Sequence, residues 1–389
     1  MANIEPDWDP ASREAHENQI AVYDSVRSRC PVAYSRQLHW SLFGHAEVLR
    51  ALEDHATFSN AVSAYPAVPN GMDPPEHTPF RRLIEPYFGP EAIAAFEPAC
   101  RRITDSIAAR LPAGEVELMS AVADDFALEA QCAFMGWPET LHGPLREWTR
   151  RNAEANRTRH PQATAGVAHV FAGYVGEQLE ARRQAGEAAP DDPTTRLLRE
   201  RVDGRPLTEA ELVSIIRNWT VGELGTIAAS IGIVVHFLAE RPALQDTLRA
   251  DPGGLDPTID EILRIHAPLI ANRRITSGPV EVDGRRIDAG ERVTLIWASA
   301  NRDEAVFGDP DAFDPERNQA RNLLYGAGIH VCPGAPLARL ELRLMIAALL
   351  RRTRAIGPSD RPAVRAAFPS GGFATLPLRV ELAEGAAPR

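Results

Sequence analysis

The stretch that most restricts the fold is LLYGAGIHVCPGAPLARLELRLMI, residues 323–346, where one cysteine sits among three glycines and two prolines before a long apolar-periodic run. Gly326, Gly328 and Gly334 permit left-handed backbone and let the chain approach a flat ligand closely. Pro333 removes one N–H, and Pro336 falls where a helix would start. That helix aims its unpaired N–H groups and positive dipole end at Cys332, an arrangement that favours a thiolate. A thiolate in such a loop is either a nucleophile or an axial metal ligand. For the first, no base partner stands out in the sequence. The second needs a flat apolar pocket, which the glycine loop suits.

Helical periodicity dominates the rest of the chain, as in PEAIAAFEPACRRITDSIAARL, HVFAGYVGEQLEARRQAG and IAASIGIVVHFLAERP. Thr208 with Glu211 three residues on forms a capping box ahead of one such run. Strand patterns are few: PVAYSRQLHWSLFG, breaking at Gly44, and GPVEVDGRRIDAGERVTLIW, a hairpin with turns at Asp283-Gly284 and Ala289-Gly290. The expectation is a mainly α protein with a small β region near the N-terminus, completed by the 279–297 hairpin. Without an internal repeat or a long linker, residues 1–389 read as a single domain.

A net charge of −11 gives no surface for nucleic acid, and all 42 basic residues are Arg. The N-terminus is polar and acidic, with no apolar signal region. No apolar run reaches the roughly 18 residues of a membrane span. The expected location is the cytoplasm, away from any membrane, where Cys30, Cys100, Cys132 and Cys332 do not form disulfides. Apart from Cys332, these cysteines read as small buried apolar residues.

YGAGIHVCPGAPLARLE resembles the heme-ligand signature of cytochrome P450, Phe-Gly-x-Gly-x-His/Arg-x-Cys-x-Gly, with Tyr325 in the usual Phe position. Further stretches resemble the family in the same order. DEILRIHAPL matches the Glu-x-x-Arg helix through Glu261 and Arg264, one turn apart on one face. ANRDEAVFGDPDAFDPERN resembles the meander, making Arg317 the third member of a structural charged triad. MDPPEHTPFRRLIEPYF resembles the segment whose His77 and Arg81 hold heme propionates. The resemblance implies matching contacts from His330 and from Arg274 or its neighbour Arg273. It also implies the P450 fold, with heme b held by Cys332 inside a loop including Tyr325, Gly326 and Gly334. The implied activity is a heme-thiolate monooxygenase that takes O2 and electrons from NAD(P)H through a reductase.

RNWTVGELGTIAAS departs from the family pattern, which places an acid and an alcohol side by side to supply protons to dioxygen. Aligned on Gly222, the chain has Leu224 and Gly225 at those positions; aligned on Thr226, it keeps the alcohol but has Gly225 for the acid. Two glycines three apart weaken the helix by about 1 kcal/mol each and open it to a local bulge with free carbonyls. Glu223 and Thr226 either relay protons through water, or Glu223 faces away and pairs with an Arg. The missing pair leaves an H2O2-using peroxygenase as the rival reading, with a non-catalytic heme sensor as the second.

The wording of several segments resembles bacterial P450s of the thiocarbamate-degrading type, some of them fused to a reductase carrying FMN and a 2Fe–2S centre. The chain ends at Arg389 without such a domain. It therefore reads as a heme domain cut from a fusion or served by a separate reductase or ferredoxin, docked near Arg317, Arg321, Arg339 and Arg343. By resemblance the substrate pocket involves Tyr65, Val221, Leu269, Ile270 and Phe373. Its apolar lining implies a small apolar or aromatic substrate, hydroxylated or O-/N-dealkylated.

Overall fold

A computed structural model describes residues 4–385 except 64–65, 159–160 and 369, so Tyr65 lies outside the described residues. Helix makes up 57% of the structure and strand 15%, which bears out the mainly α reading. Five short strands form the N-terminal sheet: β1 (Val32–Ser35), β2 (His39–Leu42), β3 (Phe58–Ser59), β4 (Ala271–Thr276) and β5 (Arg292–Ile296), in the order β1-β2-β5-β4-β3. Val293 pairs with Trp40 in parallel register, and β4 runs antiparallel to β5. The expected 279–297 hairpin therefore divides. Its first two arms, Val280–Val282 and Arg285–Ile287, pair only with each other around Asp283 (φ 47°) and Gly284 (φ 70°). Only the third arm, β5, completes the sheet, together with the preceding strand β4.

The helices that position the site are α1 (His77–Ile84), α2 (Pro90–Arg110), α3 (Glu209–Ala239), α4 (Leu255–His266) and α5 (Ala335–Arg352). Thr208 caps α3 as expected: its hydroxyl accepts from Glu211 N at 3.3 Å, and the Glu211 carboxylate accepts from Thr208 N at 2.7 Å. By length and composition α3 could cross a membrane, but its apolar window is 72% buried among other helices, which marks it as the core helix. At Gly222–Ile227 it relaxes into one π-helical turn and then resumes as α-helix at Ala228. That is the bulge the two glycines make accessible.

Arg264 and Glu261 of α4 lie fully buried in a bidentate pair at 2.7 and 2.8 Å. Arg264 also donates to the carbonyls of Asn301 (2.6 Å) and Ala312 (3.2 Å). Glu261 accepts from Asp314 N at 3.0 Å and Asn318 Nδ2 at 2.7 Å. Arg317, expected as the third member, is not there. Its half-exposed side chain turns to Asp314, the Asn318 amide oxygen and the Phe307 carbonyl. A neutral amide and a backbone N–H thus complete the network, because Glu261 needs only donors once Arg264 has neutralised it. Removing one partner of a buried pair strands the other charge. Glu261→Ala is therefore expected to lower unfolding free energy by about 3–5 kcal/mol. Arg317→Ala should change it by less than about 1 kcal/mol. Urea unfolding followed by circular dichroism compares the two.

Candidate active site

Cys332 sits where the loop after the meander turns into α5. Left-handed Gly326 (φ 77°) and Gly328 (φ 68°) shape the approach. A Cβ on Gly328 would come within 2.4 Å of the Leu52 carbonyl, so glycine is required for the loop to lie against its neighbour. The Cys332 N–H donates to the Tyr325 carbonyl at 2.8 Å, and the backbone N–H groups of Gly334 and Ala335 point at the sulfur. Cys332 is exposed toward the open space in front of it; the enclosing protein raises the thiol pKa, while these amides and the Arg81 charge lower it. A cation bonded to the sulfur would favour the thiolate.

The sulfur faces a cavity of about 340 Å³ whose opposite wall is the π turn, with Gly222, Glu223, Thr226 and Ile227. Gly225 belongs to the same turn, and a Cβ there or at Gly222 would meet nothing within 4 Å. Phe88, Phe134 and Trp219 form an aromatic wall, with ring centroids 5.0–6.3 Å apart. Gln131 reaches across to donate to the Thr220 hydroxyl at 2.9 Å, which fixes the start of the turn against its neighbouring helix.

One rim of the cavity collects nitrogen donors. His77 and His330 meet edge to face with centroids 4.5 Å apart, and the Nε2 atoms of both are buried with no protein partner. Burial lowers the pKa of both imidazoles, that of His330 to about 3, with His77 and Arg274 adding to the effect there. Trp297 Nε1 is a third buried, unpartnered nitrogen in the cavity wall. Arg274, 3% exposed, lines the same cavity, and burial lowers its pKa to about 10. Arg81 donates to the Val331 carbonyl at 2.7 Å and pairs with Glu85. Buried donors are nearly always satisfied in folded proteins, so this cluster fits an anionic group carried by a ligand in the cavity. The adjacency of Arg273 and Arg274 resolves through strand alternation, which turns Arg274 inward and leaves Arg273 on a separate surface groove.

The expected pocket residues fall in different places. Leu269 lines the central cavity. Ile270 packs into the N-terminal core, Phe373 sits in the main core against His236 at 4.7 Å, and Val221 is an exposed side chain on α3. Glu223 is buried, and the pairing with an Arg considered from sequence does not occur; it faces Glu341 of α5. Sequence reasoning missed Trp297 and Glu341. Trp297 carries no local signal beyond its place directly after β5. Glu341 does lie within the quoted cysteine stretch, on the buried face of α5.

The family profile described as Cytochrome P450 matches residues 255–382. The Erythromycin C-12 hydroxylase of Saccharopolyspora erythraea is 32% identical over 341 residues, covering 84% of this chain and 85% of that one. The cytochrome P450 monooxygenase PikC of Streptomyces venezuelae is 31% identical, covering 79% and 74%. Among solved structures, a mutant of P450 EryK in complex with erythromycin B superposes with a TM-score of 0.87 at 28% identity, over 94% of this chain and 97% of that one. CYP108D1 from Novosphingobium aromaticivorans gives 0.86 at 26% identity, over 96% and 97%. With sequence and fold shared over most of its length, the chain belongs to the cytochrome P450 family.

Proposed function

We propose that this P450 monooxygenase holds heme b through Cys332. In this reading His77, His330, Trp297, Arg274 and Arg81 surround the heme propionates, and the π turn of α3 covers the opposite face. The observation that carries it is the pair of buried, unpartnered nitrogens of His330 and Trp297 in the wall of the cavity that Cys332 and the π turn share, with His77, its Nε2 also unpartnered, set edge to face against His330. When bound, heme would supply the O2-activating chemistry of a monooxygenase, with electrons from NAD(P)H through a reductase.

The chain's own residues set the conditions for that chemistry. Phe88, Phe134, Trp219, Ile227 and Leu269 exclude water and offer apolar contact, which supports a small apolar or aromatic substrate undergoing hydroxylation or dealkylation. The Thr226 hydroxyl lines the cavity, and its carbonyl is held by Ser230 Oγ at 2.7 Å. It is the alcohol placed to hold a water or pass a proton there. The electron donor is a reductase or ferredoxin meeting the face around the cysteine loop. The arginines there are largely engaged: Arg339 with Asp260 at 2.9 Å, Arg343 with Asp256 at 3.1 Å, and Arg321 with the Val306 carbonyl. Docking in this reading relies on shape and paired charges more than on a bare basic patch.

A second reading, a peroxygenase fed by H2O2, is favoured by one observation: no acid stands directly beside an alcohol in the π turn Gly222–Ile227. Product formation with a reductase and NAD(P)H, set against product formation with peroxide, separates the two. Tight coupling to NAD(P)H supports the monooxygenase, and turnover with peroxide alone supports the rival. Arg274→Ala is expected to weaken heme retention about 10–100-fold, the range for losing a charged hydrogen bond, as measured by heme transfer to an acceptor protein. Thr226→Ala should lower product formed per NAD(P)H about tenfold while the substrate-binding spectrum stays unchanged.

A further inference from the structure

Beside the central cavity lies a groove of about 680 Å³, open to the surface, to which the reading above gives no task. Strand β4 turns Arg273 into this groove and its neighbour Arg274 into the cavity. In the β4–β5 pairing Arg273 stands opposite Thr294, and Ile275 opposite Arg292. Arg273 and Arg292 are therefore diagonal neighbours on one face of the sheet, within reach of each other for side chains of that length. No aspartate or glutamate is found among the described residues that line the groove. The Arg292 guanidinium is exposed and has no hydrogen-bond or ion-pair partner among the described residues. The carboxylates nearby are engaged elsewhere. Asp73 accepts from Ser59 Oγ and Asn60 N, and Glu291, which precedes Arg292, lies 3.5 Å from His39. Two like charges on adjacent strands repel each other, and an oxyanion placed between them turns that repulsion into attraction.

Asn60, Asn70 and Asn272 line both the groove and the cavity, so the two spaces adjoin across a polar edge. Asn272 Oδ1 accepts from Arg273 N at 2.8 Å, which leaves its amide nitrogen without a partner among the described residues. Past that edge the cavity wall becomes apolar, with Leu269, Trp219 and Phe88. A ligand spanning both spaces thus meets cations at one end, neutral amides in the middle and aromatic rings at the other end. We propose that the groove binds the anionic end of an amphipathic substrate, a carboxylate held by Arg273 and Arg292, while the apolar end passes the three asparagines into the cavity. Each guanidinium offers paired N–H groups that match the two oxygens of a carboxylate. The chain carries a net charge of −11, so the attraction is local to this pair and not a property of the whole surface. The proposal rests on the reading of the cavity as the site of oxidation and narrows its substrate class. With the head group fixed at β4 and β5, chain length decides which carbon the cavity receives. Arg273 and Arg292 set specificity in this way without touching the reacting atoms.

The experiment uses the heme-loaded protein and a series of ω-phenylalkanoic acids of graded chain length, each beside its neutral methyl ester. At about pH 7.5 the acids are ionised. Binding is followed by calorimetry and by the shift of the heme absorption band. The expected result is an acid that binds about tenfold more tightly than its ester, the effect of a charged hydrogen bond lessened by exposure. High salt should shrink that preference. Arg273→Gln should bring the acid close to the affinity of the ester and leave the ester unchanged, and Arg292→Gln should act in the same direction. Unchanged ester binding also shows that each variant is folded. Oxidation should fall at a fixed distance from the carboxyl group, a regularity lost in Arg273→Gln. Equal affinity for acid and ester across the series overturns the proposal, as does a preference that survives in the double variant. A preference that depends on both arginines in calorimetry, without any change in the heme band and without product, would fault the reading of the cavity and leave the carboxylate site in the groove standing.

Discussion

The buried pair of Arg264 and Glu261 anchors the side of the molecule from which the cysteine loop hangs. Arg264 holds the Asn301 carbonyl, and the Asn301 side chain accepts from Leu323 N at 2.8 Å, where the loop begins. Glu261 ties down the meander through Asp314 and Asn318. A few hydrogen bonds to two opposite charges therefore connect α4, the segment after β5 and the approach to Cys332. Each of these groups is costly to leave unpaired in the interior, so the loop has one well-defined position.

Across the cavity, α3 departs from regular α geometry at one place. Gly222 and Gly225 remove side chains where the helix meets the cavity, and the capped, tightly buried segments on either side hold the π turn between them. The site gathers unsatisfied groups of opposite kinds on separate edges: nitrogen donors around His77, His330 and Trp297, and carboxyl oxygens at Glu223 and Glu341. The first set is suited to holding an anionic ligand edge. Buried groups without partners are unfavourable, which is why they are informative about function.

Local chemistry was legible in the sequence. The glycine-framed cysteine, the capping box at Thr208, the Asp283-Gly284 turn and the weak point in α3 all depend on residues close together in the chain. The resemblance to P450 placed His77, Arg81, Arg274 and His330 near one another; the fold brings Arg81, Arg274 and His330 to one cavity and sets His77 edge to face against His330. What escaped depends on long-range packing. Sheet order turned on β5 pairing with β2, whose partner residues lie 253 positions apart in the chain. Arg317 was displaced by Asn318 through the exact path of the meander, which composition does not encode. Glu223 and Glu341 are separated by more than one hundred residues, and each alone reads as an ordinary helical glutamate. Of the expected substrate contacts, Ile270 and Phe373 are apolar residues whose burial in the core no local pattern distinguishes from burial at a pocket wall.

The central claim is that Cys332 binds heme iron as a thiolate, and the most direct test is the absorption spectrum of the dithionite-reduced, carbon monoxide-treated protein. The account expects the strongly red-shifted Soret band of thiolate-ligated heme, lost in Cys332→His while heme remains bound. A wild-type Soret band at the position of imidazole- or thiol-ligated heme, or the red-shifted band persisting without Cys332, would contradict it.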